Sequence, residues 1–287
     1  MAAPLSEPTY PRAHSRRRGR APLAPRPLML LVALAGVLLL GYAGYRGGLA
    51  AWHRFHNRET AGSHHVGADQ LSALRQVTPQ SPHDGPASAV AISPSPESAP
   101  PEGAILEVPY TVQAPFGNWR VHEESCEEAA MLMYRLFLHG DHRTDIPPAE
   151  ADAGIRALKN WQVQNWGSEV DLSIDRTGQL AQANWGYRYS VIQATRETIR
   201  QAISDGHPVV VPVMTHSLQN PHYGPKSVYH ELVIKGYNAG GVITNDPGVL
   251  EGKNWFYSWS ILFDAIDAQS ARMSQGRVGL VLLPGAA

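Results

Sequence analysis

Leu28 to Tyr45 reads LMLLVALAGVLLLGYAGY, eighteen residues without a charge. At about 1.5 Å per residue a helix of this length just spans the hydrocarbon of a bilayer. Tyr42, Tyr45 and Trp52 suit the headgroup layer. The stretch is therefore expected to be a transmembrane signal anchor. A cleaved signal peptide is the rival reading. Its apolar region is usually shorter, and it needs a small-x-small cleavage site, which Gly44 to Ala50 offers only weakly. Arg12, Arg16, Arg17, Arg18, Arg20 and Arg26 precede the run, whereas Arg46, Arg54 and Arg58 follow it. The more basic flank stays in the cytoplasm, so the expected location is a single-pass membrane protein with its C-terminal domain extracytoplasmic.

The anchor partitions the rest of the chain. Residues 1–27 are basic and broken by proline, and are expected to form a disordered cytoplasmic tail. Residues 46–103 read as a tether. Its second half is dense in proline, serine and alanine, the composition of a semi-extended spacer, and a short helix is conceivable within 66–77. That leaves 104–287 as the folded domain, long enough for one sizeable core. The net charge of −1 carries no nucleic-acid footprint. Cys126 is the only cysteine, which excludes an intrachain disulfide and any zinc site built on several thiolates. No cofactor or metal is expected, and no partner protein is indicated.

Within the domain, 105–110 reads as a strand, and a helix over about 126–139 follows a loop of turn residues. Ala129, Ala130, Leu132, Met133, Leu136 and Phe137 recur at helical spacing, and Gly140 stops the run. Further helices are expected from Pro147 to about Asn160, from Asp175 to near Gly186 and from Thr195 to Ser204. Strands are expected at 187–193, 209–213, 229–237, 242–246 and 279–283, with Asn238 to Gly241 as a hairpin turn. Helices lead and strands close, so the fold class is α+β. The loop 215–228 is long for a compact domain, and loops of that length are usually functional.

Cys126 opens its helix. Ser125-x-x-Glu128 reads as a capping box, which directs backbone N–H groups and the helix dipole at the sulfur and favours the thiolate. A thiol nucleophile needs a base, a group to orient the base, and oxyanion donors. His230 stands on a strand about a hundred residues later, and Asn245-Asp246 lies across a hairpin from it. Gln113 precedes the cysteine and is placed to lend its amide N–H to an oxyanion. Strand alternation leaves the orienter open. A two-residue loop at Ala239-Gly240 puts Asn245 on the face of His230, and a loop one residue longer puts Asp246 there.

VPYTVQAPFGNW, CEEAAMLM, HPVVVPV, HELVIKGYN and ITNDPG together cover nearly all of the domain. On these pieces the chain resembles the papain-like cysteine peptidases related to bacteriocin-processing, double-glycine-leader peptidases, as a stand-alone member without an ABC transporter. The resemblance implies a papain-like fold, with helices that include the Cys-bearing one packed on an antiparallel sheet. It implies Cys126 as nucleophile, His230 as base, Asp246 as orienter with Asn245 the alternative, and Gln113 as oxyanion donor. Leader cleavage after Gly-Gly is not carried over. The expected function is a membrane-anchored cysteine peptidase acting on a peptide or protein substrate. Two other readings stand beside it: a catalytically silent papain-fold binding domain at the cell surface, and a cell-wall amidase or transpeptidase.

Trp119, beside the presumed oxyanion loop, is expected to contact substrate, and His216 and His222 are candidates for flanking the cleft. His122, His139 and His142 read as solvated surface or loop residues. HELVI lacks the second histidine of a zinc-binding HExxH. Glu127 and Glu128 follow the cysteine directly. Facing the sulfur they would oppose the thiolate, so they are expected to point away and serve the helix terminus.

Overall fold

A computed structural model describes residues 60–78, 100–168 and 170–285. The expected basic tail, the anchor at 28–45 and its orientation lie outside the described residues. No helix among the described residues is long and apolar enough to cross a membrane.

The elements in chain order are β1 (Ser63–His65), α1 (Ala68–Ser72), β2 (Arg75–Val77), β3 (Ala104–Leu106), α2 (Cys126–Leu138), α3 (Pro148–Trp166), α4 (Ile174–Trp185), β4 (Arg188–Gln193), α5 (Arg196–Ser204), β5 (Val209–Met214), a 3₁₀ turn (Thr215–Leu218), β6 (Tyr229–Tyr237), β7 (Gly241–Asn245), β8 (Lys253–Ser258), α6 (Trp259–Met273) and β9 (Val278–Leu283). The strands form one sheet in the order β1-β8-β7-β6-β5-β9-β4, with β3 on the far end of β6 and β2 beside β3. All pairings are antiparallel except β2 with β3. A mixed helix and antiparallel-sheet architecture was expected and is present.

Every residue of β5, β6 and β7 is buried. Such strands have both faces covered, which explains why β5 reads as a continuous apolar run rather than an alternating one. The Cys-bearing helix α2 packs on β6 and on α3, α4 packs on β4 and β9, and α6 packs on β5, β7 and β8. Gly167 and Gly186 end α3 and α4 in the left-handed conformation that glycine adopts without strain.

Two expectations change here. The segment 60–78, read as tether, adds β1 and β2 to the sheet, and Trp255 Nε1 donates to Ser63 Oγ at 3.0 Å. These strands have three residues each, too short for periodicity to reveal. The second change lies between Gly252 and Gly276, where β8 and α6 complete the core. Ser258 caps α6 by accepting from the Ile261 N–H at 3.3 Å, and the Trp255-Phe256-Tyr257 run supplies the strand.

Candidate active site

α2 begins at Cys126, with Ser125 at its N-cap. The expected capping box is absent. Ser125 makes no side-chain cap bond, and its Oγ lies 3.2 Å from His122 Nδ1. Glu128, the other half of the box, is buried and accepts from Gln162 Nε2. His122 is itself fully buried, not solvated as expected, and its Nε2 lies 2.8 Å from Asp152 Oδ1. This chain of side chains braces the loop that delivers Cys126. The first-turn N–H groups still face forward without intrahelical partners.

His230 is on β6, and only 3 % of it is exposed. Its Nε2 lies 2.9 Å from Asp246 Oδ1, which leaves Nδ1 as the ring nitrogen for other work. Asp246 is fully buried and accepts three further bonds: Tyr223 OH at 2.6 Å, Gly248 N–H at 3.0 Å and Tyr257 OH at 2.7 Å. Burial alone would raise this carboxyl. The charge and hydrogen bond of His230, with the bonds from Tyr223 and Tyr257, outweigh it and hold Asp246 below the usual carboxylate range. A Cβ on Gly248 would meet the Tyr223 hydroxyl and stand 2.8 Å from His230 Cε1, so this close approach requires glycine.

A β-bulge decides which residue faces His230. The loop is the two-residue one, because the Asn238 N–H bonds Gly241 O across Ala239-Gly240 at 3.0 Å. Tyr237 pairs with Val242 and Gly236 with Ile243, but Ile234 pairs with Thr244. Lys235 is thus an extra residue, and the register shifts by one beyond it. That shift moves Asp246 to the His230 side and turns Asn245 away. Asn245 Nδ2 instead donates to Val108 O at 3.0 Å and Pro109 O at 3.3 Å.

Cys126, His230 and Gln113 share the wall of one cavity of about 450 Å³, together with Trp119, Thr215, Tyr223 and Gly248. Trp119 is 37 % exposed at the rim. His216 and His222 do not line it. His216 is exposed on the 3₁₀ turn, and His222 packs its ring edge on Trp255 with Nδ1 3.3 Å from Glu251 Oε2. The amide of Gln113 donates to His122 O at 2.7 Å and Glu123 O at 2.9 Å, and its backbone N–H bonds Pro247 O at 2.8 Å. Gln113 therefore ties the loop before Cys126 to the turn after Asp246.

Glu127 does not point away. The Cys126 thiol donates to Glu127 Oε2 at 3.0 Å, and Glu127 Oε1 accepts the Leu172 N–H at 2.9 Å. Both glutamates are buried because α2 lies flat on β6, so its first turn has no solvent side. Glu231, from β6, accepts from Thr177 Oγ1 at 2.9 Å and Tyr229 OH at 3.2 Å. Glu127, Glu128 and Glu231 are each pushed up to about 8, first by burial and then by one another's charges. Cys126 is also raised, by burial, by the charges of Glu127 and Glu231 and by its bond to Glu127. The Glu231 backbone N–H acts in the opposite direction. Among the described residues no group of three His, Cys, Asp or Glu side chains is arranged to hold a metal ion. Sequence reasoning missed Tyr223, Tyr257 and Glu231. The one signal was that Tyr223 lies in the long loop.

A model of the Peptidase_C39-like family matches residues 105–264. Among solved structures, one from Bacillus anthracis described as a candidate C39-like peptidase is similar at 16 % identity and a TM-score of 0.43, covering 65 % of this chain and 100 % of that one. No curated protein matches this chain.

Proposed function

Since the chain belongs to the Peptidase_C39-like family and is a cysteine peptidase, we propose that it hydrolyses peptide bonds through a Cys126-His230-Asp246 triad. The observation that carries this reading is the common cavity of Cys126 and His230, with the His230 Nε2 already held by Asp246. Asp246 fixes the tautomer and leaves Nδ1 free to act as base. Nδ1 accepts the thiol proton as sulfur attacks the carbonyl carbon, and the tetrahedral oxyanion forms beside the start of α2. The Cys126 backbone N–H and one N–H of Gln113, released from its backbone carbonyl, stabilise that oxygen. His230 then returns the proton to the leaving amine, giving an acyl-thioester that water hydrolyses. The raised thiol makes Cys126 a neutral resting nucleophile, so base and nucleophile must act together. Trp119 supports a side-chain contact with substrate at the rim.

The test is cleavage of a peptide library by the full chain, with Cys126→Ala and His230→Ala as controls. Cleavage that survives either substitution refutes the triad. The reading extends to a single-pass anchor at 28–45 that holds the peptidase outside the cytoplasm. Its support is the uncharged eighteen-residue run and the arginine asymmetry. Protease added to intact cells is expected to remove the domain; survival until lysis refutes that topology.

A further inference from the structure

Lys235 is the extra residue of the β6 bulge, and only 7 % of it is exposed. It lines a second cavity, of about 180 Å³, that shares no residue with the active-site cavity. The carboxylates nearest to it are already engaged. Asp145 holds Lys253 at 2.8 and 2.9 Å, and Glu107 lies 3.6 Å from His142 Nδ1. Among the described residues none forms an ion pair or hydrogen bond with the Lys235 ammonium. Lys253 and Arg143 line the same cavity, each paired with a carboxylate at its rim, and the Glu107 carboxylate also forms part of its wall. Burial first, and Lys253 second, lower Lys235 to about 8. It therefore still carries its charge at neutral pH.

A buried cation without a direct ion pair is costly, and water satisfies its hydrogen bonds without neutralising its charge; Glu107 and Asp145 act on Lys235 only from a distance. The rim pairs of Lys253 and Arg143 are partly exposed, and such pairs rearrange at little cost. Thr144 adds a hydroxyl at the wall, and Ile105 and Leu71 close the cavity with apolar surface. We propose that this cavity is a binding site for a small oxyanion, phosphate or carboxylate, held by Lys235 with Lys253 and Arg143 at its mouth. The assignment stands on the cavity alone and does not depend on the triad.

The test is calorimetric titration of the full chain in detergent micelles with inorganic phosphate and, separately, with sodium acetate at matched ionic strength. Saturable binding of either anion is expected, and the one that binds identifies the source of the oxyanion. Lys235→Met is expected to weaken it about tenfold or more, the loss of one charge-assisted hydrogen bond, whereas Lys235→Arg retains it. No saturable binding, or equal binding by Lys235→Met, overturns the proposal. Should Lys235→Met fail to fold, acetylation of wild-type lysines, mapped by mass spectrometry, replaces it. Phosphate or acetate is expected to protect Lys235 selectively, and equal labelling with and without the anions overturns the proposal.

Discussion

Replacing Glu127 by glutamine probes the least expected contact in the site. Its carboxyl stands 3.0 Å from the Cys126 sulfur. Once Glu127 ionises, near pH 8, it repels any thiolate. At that separation and an effective dielectric of about 20, the repulsion is about 5.5 kcal/mol. This is an upper bound, because relaxation and polar neighbours reduce it. A quarter of it still corresponds to about tenfold in thiolate population. Glutamine keeps an oxygen for the Leu172 N–H and removes the charge. The assay is the pH dependence of Cys126 alkylation by iodoacetamide, read by mass spectrometry. At pH 9, where Glu127 is ionised, Glu127→Gln is expected to react about tenfold faster than wild type or more. At pH 6, where the carboxyl is protonated, the two are expected to agree within about threefold. Equal rates at pH 9, or a slower variant, refute the claim that this carboxylate opposes the thiolate.

Asp246→Ala is expected to lower kcat/KM about a hundredfold or more, while Asn245→Ala, which loses bonds to the Val108 and Pro109 carbonyls and from the Asn254 N–H but none to His230, stays within about threefold; steady-state kinetics on one peptide compares them. Tyr223→Phe removes one of the four donors on Asp246 and is expected to cost about tenfold in kcat/KM, the worth of a charge-assisted bond. Stability is expected to fall as pH rises from about 5 to 8. Glu127, Glu128 and Glu231 are raised to about 8, so the fold binds protons that the unfolded chain has released. Their contribution is complete below the unfolded value and is lost as pH climbs through the folded one. The three carboxyls interact and titrate as one cluster, so the slope belongs to the set rather than to each residue. Thermal melts of wild type and Glu128→Gln measure this; a variant no flatter than wild type refutes it.

The order of the candidate site residues was legible along the chain. A cysteine at a helix start, a histidine on a later strand and an Asn-Asp pair across a hairpin are local patterns, and each sits where periodicity placed it. Residues that act through distant contacts were not legible. Tyr223 and Tyr257 reach Asp246 from a loop and from β8; the length of its loop was the one mark on Tyr223, and nothing near Tyr257 marks it. His122 looked solvated because its flanks are polar, yet Asp152, thirty residues on, buries it.

By itself, then, the sequence determined the helix that begins at Cys126, the strand that carries His230 and the position of the hairpin after it, though not the length of its loop, because these follow from side-chain period and turn chemistry. The tertiary structure decided which acid meets His230. One extra residue, Lys235, shifts the register by one, and strand alternation turns that shift into a change of face. It likewise decided that Glu127 faces the sulfur. Burying α2 against β6 leaves its first turn no water to point into, so a carboxyl that local rules send outward is held at the Cys126 sulfur.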